Sequence, residues 1–135
     1  MGQSLIRVYV HFVWATAQRQ PLLGEAARAA VFRCVAAEAA KLGCEVLAIG
    51  GVEHHVHVLL RTPPLVDLPR LAQQMKGVSS HVARSLPGGA GFGWQDGYAA
   101  LSVSPNHVGR VRDYVCRQAE RHAAGHAHAE WEATE

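Results

Sequence analysis

Two spacings in this chain could do chemistry. In "GGVEHHVHVLLRTPP", Gly50 to Pro64, three histidines fall within four positions of a run that otherwise reads as a buried strand. Strand side chains alternate between faces, so His55 and His57 project the same way while Val56 and Val58 point into the core. Two imidazoles on one face can share one metal ion. His54 falls on the other face with Val56, which has no donor to add, so 55 and 57 form the preferred pair.

The second spacing is Y-x-x-x-Q, Tyr114 and Gln118, inside "NHVGRVRDYVCRQAERHAAGHAH". At about 100° per helical residue, Arg110, Arg117, Gln118 and Arg121 gather around Tyr114, with Val108, Val111, Val115 and Ala119 to one side as the core stripe. Tyr114 is therefore expected on a polar, cationic face. Gln118 points the same way one turn later and offers a neutral carbonyl oxygen, which Mg²⁺ or Mn²⁺ accepts together with imidazole. A phenol, with a pKa ordinarily about 10, is a poor nucleophile. Nearby arginines and a metal-polarised phosphate would correct that by drawing charge from phosphorus and orienting it for in-line attack.

These residues need elements to hold them. "LIRVYVHFVWAT" reads as a first strand, with Val8, Val10 and Phe12 on alternate positions. "GEAARAAVFRCVAAEAAKLG" predicts a helix with a stripe of Ala27, Val31, Val35 and Ala39, closed by Gly43. "CEVLAIGG" and "HVHVLLRT" predict two strands joined by a bend around Gly50 to Glu53. Asp67 as N-cap and Pro69 just after it predict a second helix, ending before Pro87. "GYAALSVS" gives a fourth strand, after the glycine-rich "LPGGAGFGW", read as a mobile loop. A third helix runs from Asn106. The order β-α-β-β-α-β-α implies an α+β fold, a ferredoxin-like or RRM-like antiparallel sheet with helices packed on one face and a polar site on the other.

The chain has 135 residues, 49% hydrophobic and 18% charged, which fits one domain across residues 1–135. The opening segment is interrupted by Arg7 and His11 and carries no small-residue cleavage site, so neither a signal peptide nor a membrane span fits and a cytoplasmic protein is expected. Cys34, Cys44 and Cys116 are odd in number and lack C-x-x-C spacing, which argues for reduced, mostly buried thiols. The formal net charge is +2. It gathers as Arg70, Lys76 and Arg84 in the second helix and as the arginines of the third, opposed by Glu130, Glu132 and Glu135. A modest basic face of this kind attracts phosphates, although a solvated helix surface is the commoner explanation of any one such cluster.

In order and spacing, "EHHVHVLL", "TPP", "LAQQMKGVSS", "GWQDGYAALSVS" and "VRDYVCRQ" together resemble the single-domain tyrosine HUH transposases of the insertion sequence 200/605 group. The opening "VHFVWATAQRQPLL" is similar to that family's first strand and following turn, so the resemblance spans nearly the whole chain. It implies His55 and His57 as paired metal ligands, Gln118 as the third and Tyr114 as nucleophile, with Mg²⁺ or Mn²⁺ as cofactor. It further implies cleavage of single-stranded DNA at the feet of hairpins through a 5′-phosphotyrosine, with no nucleotide cofactor. The implied assembly is a homodimer whose active sites join the histidines of one subunit to the tyrosine helix of the other. Lys76, Arg110, Arg117 and Arg121 are the DNA-contact candidates. Family members often carry Asp or Asn where this chain has His54, and a basic residue where it has His81.

Taken singly, these residues have plainer explanations. An H-x-H in a strand is more often surface or hydrogen-bonded histidine than a metal site, and a lone helical tyrosine is more often half-buried packing. Only the combination, in order, favours catalysis. Ser79 and Ser80 can simply bond backbone. His107, His122, His126 and His128 read as a solvated helix end, and Trp14 as core, with Trp94 free to stack on a base. Two other functions fit the same fold: a noncatalytic module binding single-stranded nucleic acid, and a resident HUH nuclease processing genomic repeats.

Overall fold

The computed structural model describes residues 2–118. The elements are β1 (Val8–Ala15), α1 (Glu25–Lys41), β2 (Glu45–Val52), β3 (His55–Thr62), α2 (Leu68–Ser85), β4 (Ala99–Val103) and α3 (Val108–Cys116), with single 3₁₀ turns at Ala17–Arg19 and Pro105–His107. The expected order is observed, and so is the antiparallel sheet, with strands arranged β2-β3-β1-β4. β1 and β3 are thus the central strands.

Local chemistry explains the helices that cover the first face. In α1, Val31, Val35 and Ala39 are buried at the expected four-residue spacing, and Gly43 turns the chain afterwards at a positive φ of 82° that favours glycine. The Asp67 side chain caps α2 by accepting from the Arg70 amide at 3.0 Å, with Pro69 in the first turn. Both helices bury their apolar stripes against Val10, Phe12 and Trp14 of β1 and Val56, Val58 and Leu60 of β3. Glu38 of α1 ties them together: its carboxylate accepts from Lys41 at 2.9 Å and from Gln74 of α2 at 2.6 Å. Those two donors hold the Glu38 carboxyl below its ordinary pKa.

The third helix differs from the one-face arrangement. α3 lies across the opposite face, where Val111 and Val115 pack on Ala48 of β2 and Leu59 of β3. Burying such valines contributes about 1.5–3 kcal/mol each, so α3 rests on a much smaller apolar patch than α1 and α2 share. The polar face of the sheet is therefore roofed rather than open.

Three smaller expectations are also revised. Gly50 and Gly51 lie inside β2, and the hairpin turns at Glu53 and His54, whose carbonyls accept from Leu23 and Thr16. The glycine-rich segment before β4 is anchored: Phe92 is buried, Trp94 bridges to Thr16, and the Lys76 ammonium donates to the carbonyls of Gln95 and Gly97 at 2.9 and 2.8 Å. Among the thiols Cys44 is buried and Cys34 half-buried, but Cys116 is exposed. Burial pushes the Cys34 and Cys44 thiols above their ordinary pKa. Trp14 is core, as expected.

Candidate functional site

Strand register builds the site. Antiparallel pairing sets Ala15 opposite His55, Val13 opposite His57 and His11 opposite Leu59, so all six side chains share the face that α3 covers. On the far side of β3, β2 places Gly50 opposite His57. A Cβ at Gly50 would lie 1.7 Å from the carbonyl oxygen of Val115. That position must be glycine for α3 to settle on the sheet above the histidines.

The four residues singled out by spacing come together beneath α3. His55, His57, Tyr114 and Gln118 are each no more than 1% exposed. The His55 and His57 ring centroids lie 5.0 Å apart, and the Tyr114 ring stands edge-on to His57 at 5.6 Å. His55 Nε2 faces Gln118 Oε1 at 3.3 Å. The Gln118 amide nitrogen donates to the Tyr114 carbonyl at 3.0 Å, which turns its oxygen toward His55. Each histidine has its other ring nitrogen against a further imidazole: His57 Nδ1 lies 2.8 Å from His11 Nε2, and His55 Nδ1 lies 2.9 Å from His54 Nδ1.

Tyr114 is not on a cationic face. Val111, Tyr114, Val115 and Gln118 are buried at i, i+3, i+4 and i+7, while Arg110, Arg112 and Arg117 point to solvent. The inward stripe of α3 thus contains the tyrosine, and the glutamine continues it just past the helix end, because the sheet beneath offers polar partners where the histidines sit and apolar ones at Ala48 and Leu59. Arg117 pairs with Asp113 at 3.7 Å on the exposed side. Arg121 lies outside the described residues, as do Ala119, His122, His126 and His128. Lys76 is on α2, across the sheet from the histidines, and burial lowers its ammonium below the ordinary lysine pKa against the opposing pull of Asp96. It lines an open groove of about 510 Å³ with Arg84, Trp94 and Tyr98, well apart from the buried histidines. Trp94 is half-buried and its indole N–H is taken by the Lys76 carbonyl and the Ser79 hydroxyl. Ser79 and Ser80 bond backbone carbonyls of α2, as expected.

Sequence reading missed His11. It appeared only as an interruption of an apolar strand, yet it is 1% exposed and stacks on His57 with centroids 5.0 Å apart. The available signal was its parity: with Val10 and Phe12 in the core, His11 had to face the other way.

The donor set suits a small hard cation. Two imidazoles and a carboxamide oxygen form a mixed nitrogen and oxygen set, and the 3.3 Å between His55 Nε2 and Gln118 Oε1 is short enough for one ion to accept both. Among the described residues no group of three or more His, Cys, Asp or Glu side chains is placed to hold a metal. No helix among the described residues is long and apolar enough to cross a membrane.

Comparison with known proteins gives consistent results. The family described as "Transposase IS200 like" matches residues 4–118. A curated relative, the ISDra2 transposase TnpA of Deinococcus radiodurans, is 29% identical, covering 82% of this chain and 84% of its own length. Two solved structures share the fold. One, a candidate transposase from Deinococcus radiodurans R1, superposes with a TM-score of 0.68 at 24% identity, over 87% of this chain and 96% of that one. The other, a REP-associated tyrosine transposase bound to a REP hairpin, gives 0.66 at 14% identity, over 94% of this chain and 74% of that one.

Proposed function

The chain belongs to the IS200-like transposase family, and from that premise we propose that it is a tyrosine HUH enzyme that cleaves and rejoins hairpin-bearing single-stranded DNA. The observation that carries this reading is the convergence of His55, His57, Tyr114 and Gln118 in one buried cluster, with His55 and Gln118 at 3.3 Å and His57 and Tyr114 rings at 5.6 Å. The hairpin held by one structural neighbour supports the choice of substrate.

In this reading His55, His57 and Gln118 hold Mg²⁺ or Mn²⁺, which when bound polarises the scissile phosphate. The Tyr114 oxygen bonds to phosphorus as the bond to the departing 3′ oxygen breaks, and the proton the phenol gives up is balanced by the one the 3′ oxygen takes from solvent. The products are a 5′-phosphotyrosine and a free 3′-hydroxyl. A 3′-hydroxyl attacking the phosphotyrosine reverses the step, so the phosphoester energy is retained and no nucleotide cofactor is needed. Arg110 and Arg117, and Arg121 further along, supply positive charge for the DNA backbone. With Tyr114 at 1% exposure, a backbone phosphate reaches it only when α3 lifts from β2 and β3. We further propose a cytoplasmic homodimer, the 135 residues acting as one unit.

The test is incubation with hairpin-bearing single-stranded oligonucleotides and Mg²⁺ or Mn²⁺. A denaturation-resistant protein–DNA adduct is expected from the wild type and none from Tyr114→Phe. No wild-type adduct, or one that persists in Tyr114→Phe, removes the proposal. Binding that survives chelation and His57→Ala, without any adduct, would instead identify a noncatalytic binding module. Hairpins flanking the gene would separate a mobile element from a resident repeat-processing nuclease.

A further inference from the structure

The contact between His11 and His57 has no role in the chemistry above. It joins two fully buried rings, 28° from parallel, through His57 Nδ1 and His11 Nε2 at 2.8 Å. Strand register makes it: His11 is opposite Leu59, so it sits diagonal to His57 on the same face of the sheet.

A neutral imidazole carries one N–H and one lone pair, and which nitrogen holds the proton is set by the partner of the other. If His57 is to offer Nε2 to a cation, its Nδ1 must keep the proton and needs an acceptor. His11 Nε2 is that acceptor when His11 is itself protonated at Nδ1. His55 is the contrast: Gln118 Oε1 only accepts, so at 3.3 Å His55 Nε2 carries the N–H and its Nδ1 presents a lone pair to His54 Nδ1 at 2.9 Å, and that proton has to move to Nδ1 before Nε2 can take a cation. Imidazoles that bind metals characteristically donate their second N–H to a carboxylate, a backbone carbonyl or a water, a place taken here by the His11 lone pair, and losing that partner weakens metal affinity by about 10–100-fold.

We propose that His11 is a positioning residue that holds His57 in the Nδ1–H tautomer and presents its Nε2 to the divalent cation. This rests on the reading of His55, His57 and Gln118 as the cation's ligands. The experiment has two arms. Long-range ¹H–¹⁵N correlation spectra of the wild-type protein are expected to show His57 protonated at Nδ1 and His11 unprotonated at Nε2, and Mg²⁺ is expected to shift His57 Nε2 more than His11 Nε2. Mn²⁺ titration calorimetry is expected to show about 10–100-fold weaker binding for His11→Leu. Most of that loss should return in His11→Gln, whose carboxamide oxygen can accept the same hydrogen bond. A proton on His11 Nε2, or a folded His11→Leu variant with unchanged Mn²⁺ affinity, overturns the inference. The tautomer spectra decide it even where His11→Leu does not fold. His57→Ala separates the two levels: Mn²⁺ affinity lost there but kept in His11→Leu overturns only the role of His11. Affinity kept in both variants removes the ligand reading itself, and the role of His11 with it.

Discussion

Gln118 shows how one amide can be aimed by its own helix. Its nitrogen is occupied by the Tyr114 carbonyl one turn back, so its oxygen has to face His55. Gln118→Ala removes that oxygen while leaving the apolar contacts of Val111 and Val115 in place. Mn²⁺ affinity measured by calorimetry is expected to fall by about tenfold or more, with the folded state retained. Unchanged affinity would exclude Gln118 as a ligand. Gln118→Glu keeps an oxygen but turns a second acceptor toward the Tyr114 carbonyl, so its orientation is no longer fixed by a donor. The H-x-H and Y-x-x-x-Q pairs were legible in the sequence because each is a local spacing, fixed by strand or helix period alone. His11 was not, because its link to His57 runs through the register of β1 against β3, forty-six residues apart.

At the scale of elements, α1 and α2 were readable from period and capping residues, whereas the seat of α3 was not. Its Tyr114 and Gln118 face inward because the sheet below supplies imidazoles, which no helical projection contains. Gly50 looked like a turn residue for the same reason: its constraint comes from the Val115 carbonyl, a contact made only after folding. Gly50→Ala would put a methyl group against rigid backbone, and overpacking of this kind costs about 1–3 kcal/mol. The expected result is a lower denaturation midpoint together with loss of the DNA adduct, since α3 carries Tyr114. A variant with wild-type stability and adduct yield would mean that α3 does not sit as described. The small patch under α3 also predicts motion: amides of Val108–Cys116 should exchange faster once hairpin DNA and Mn²⁺ are added, and unaltered exchange during cleavage would contradict the need for α3 to lift. The Glu38 bridge gives a pH dependence with a definite sign. Because its folded pKa is lowered from the ordinary 4.5, its stabilisation is complete above that value and fades as pH falls through the folded one. Glu38→Gln should therefore melt below wild type at neutral pH, with the gap closing in acid, and a gap independent of pH would rule the bridge out as the cause.

At the scale of the whole molecule, charge decides how DNA is held. A net charge of +2 on 135 residues is modest for a protein that handles a polyanion, so few phosphates can be neutralised at once. The cations near the site are placed accordingly: Arg110, Arg112 and Arg117 project from the exposed side of α3, while Tyr114 and Gln118 occupy its buried side. On the proposed function, DNA would be drawn to the outer surface of the helix that carries Tyr114. For single strands each phosphate contact adds about −0.7 to the slope of log affinity against log salt. Arg110→Ala should weaken binding of a hairpin oligonucleotide and reduce the slope by about one such step. Arg117→Ala should do less, because Asp113 at 3.7 Å already offsets part of its charge. Asp113→Asn should then do the opposite, strengthening binding and steepening the slope. Titrations by fluorescence anisotropy across a range of salt concentrations measure all three. Identical slopes in wild type and variants would place the DNA path elsewhere, with the groove beside Lys76 and Arg84 on α2 as the next surface to mutate.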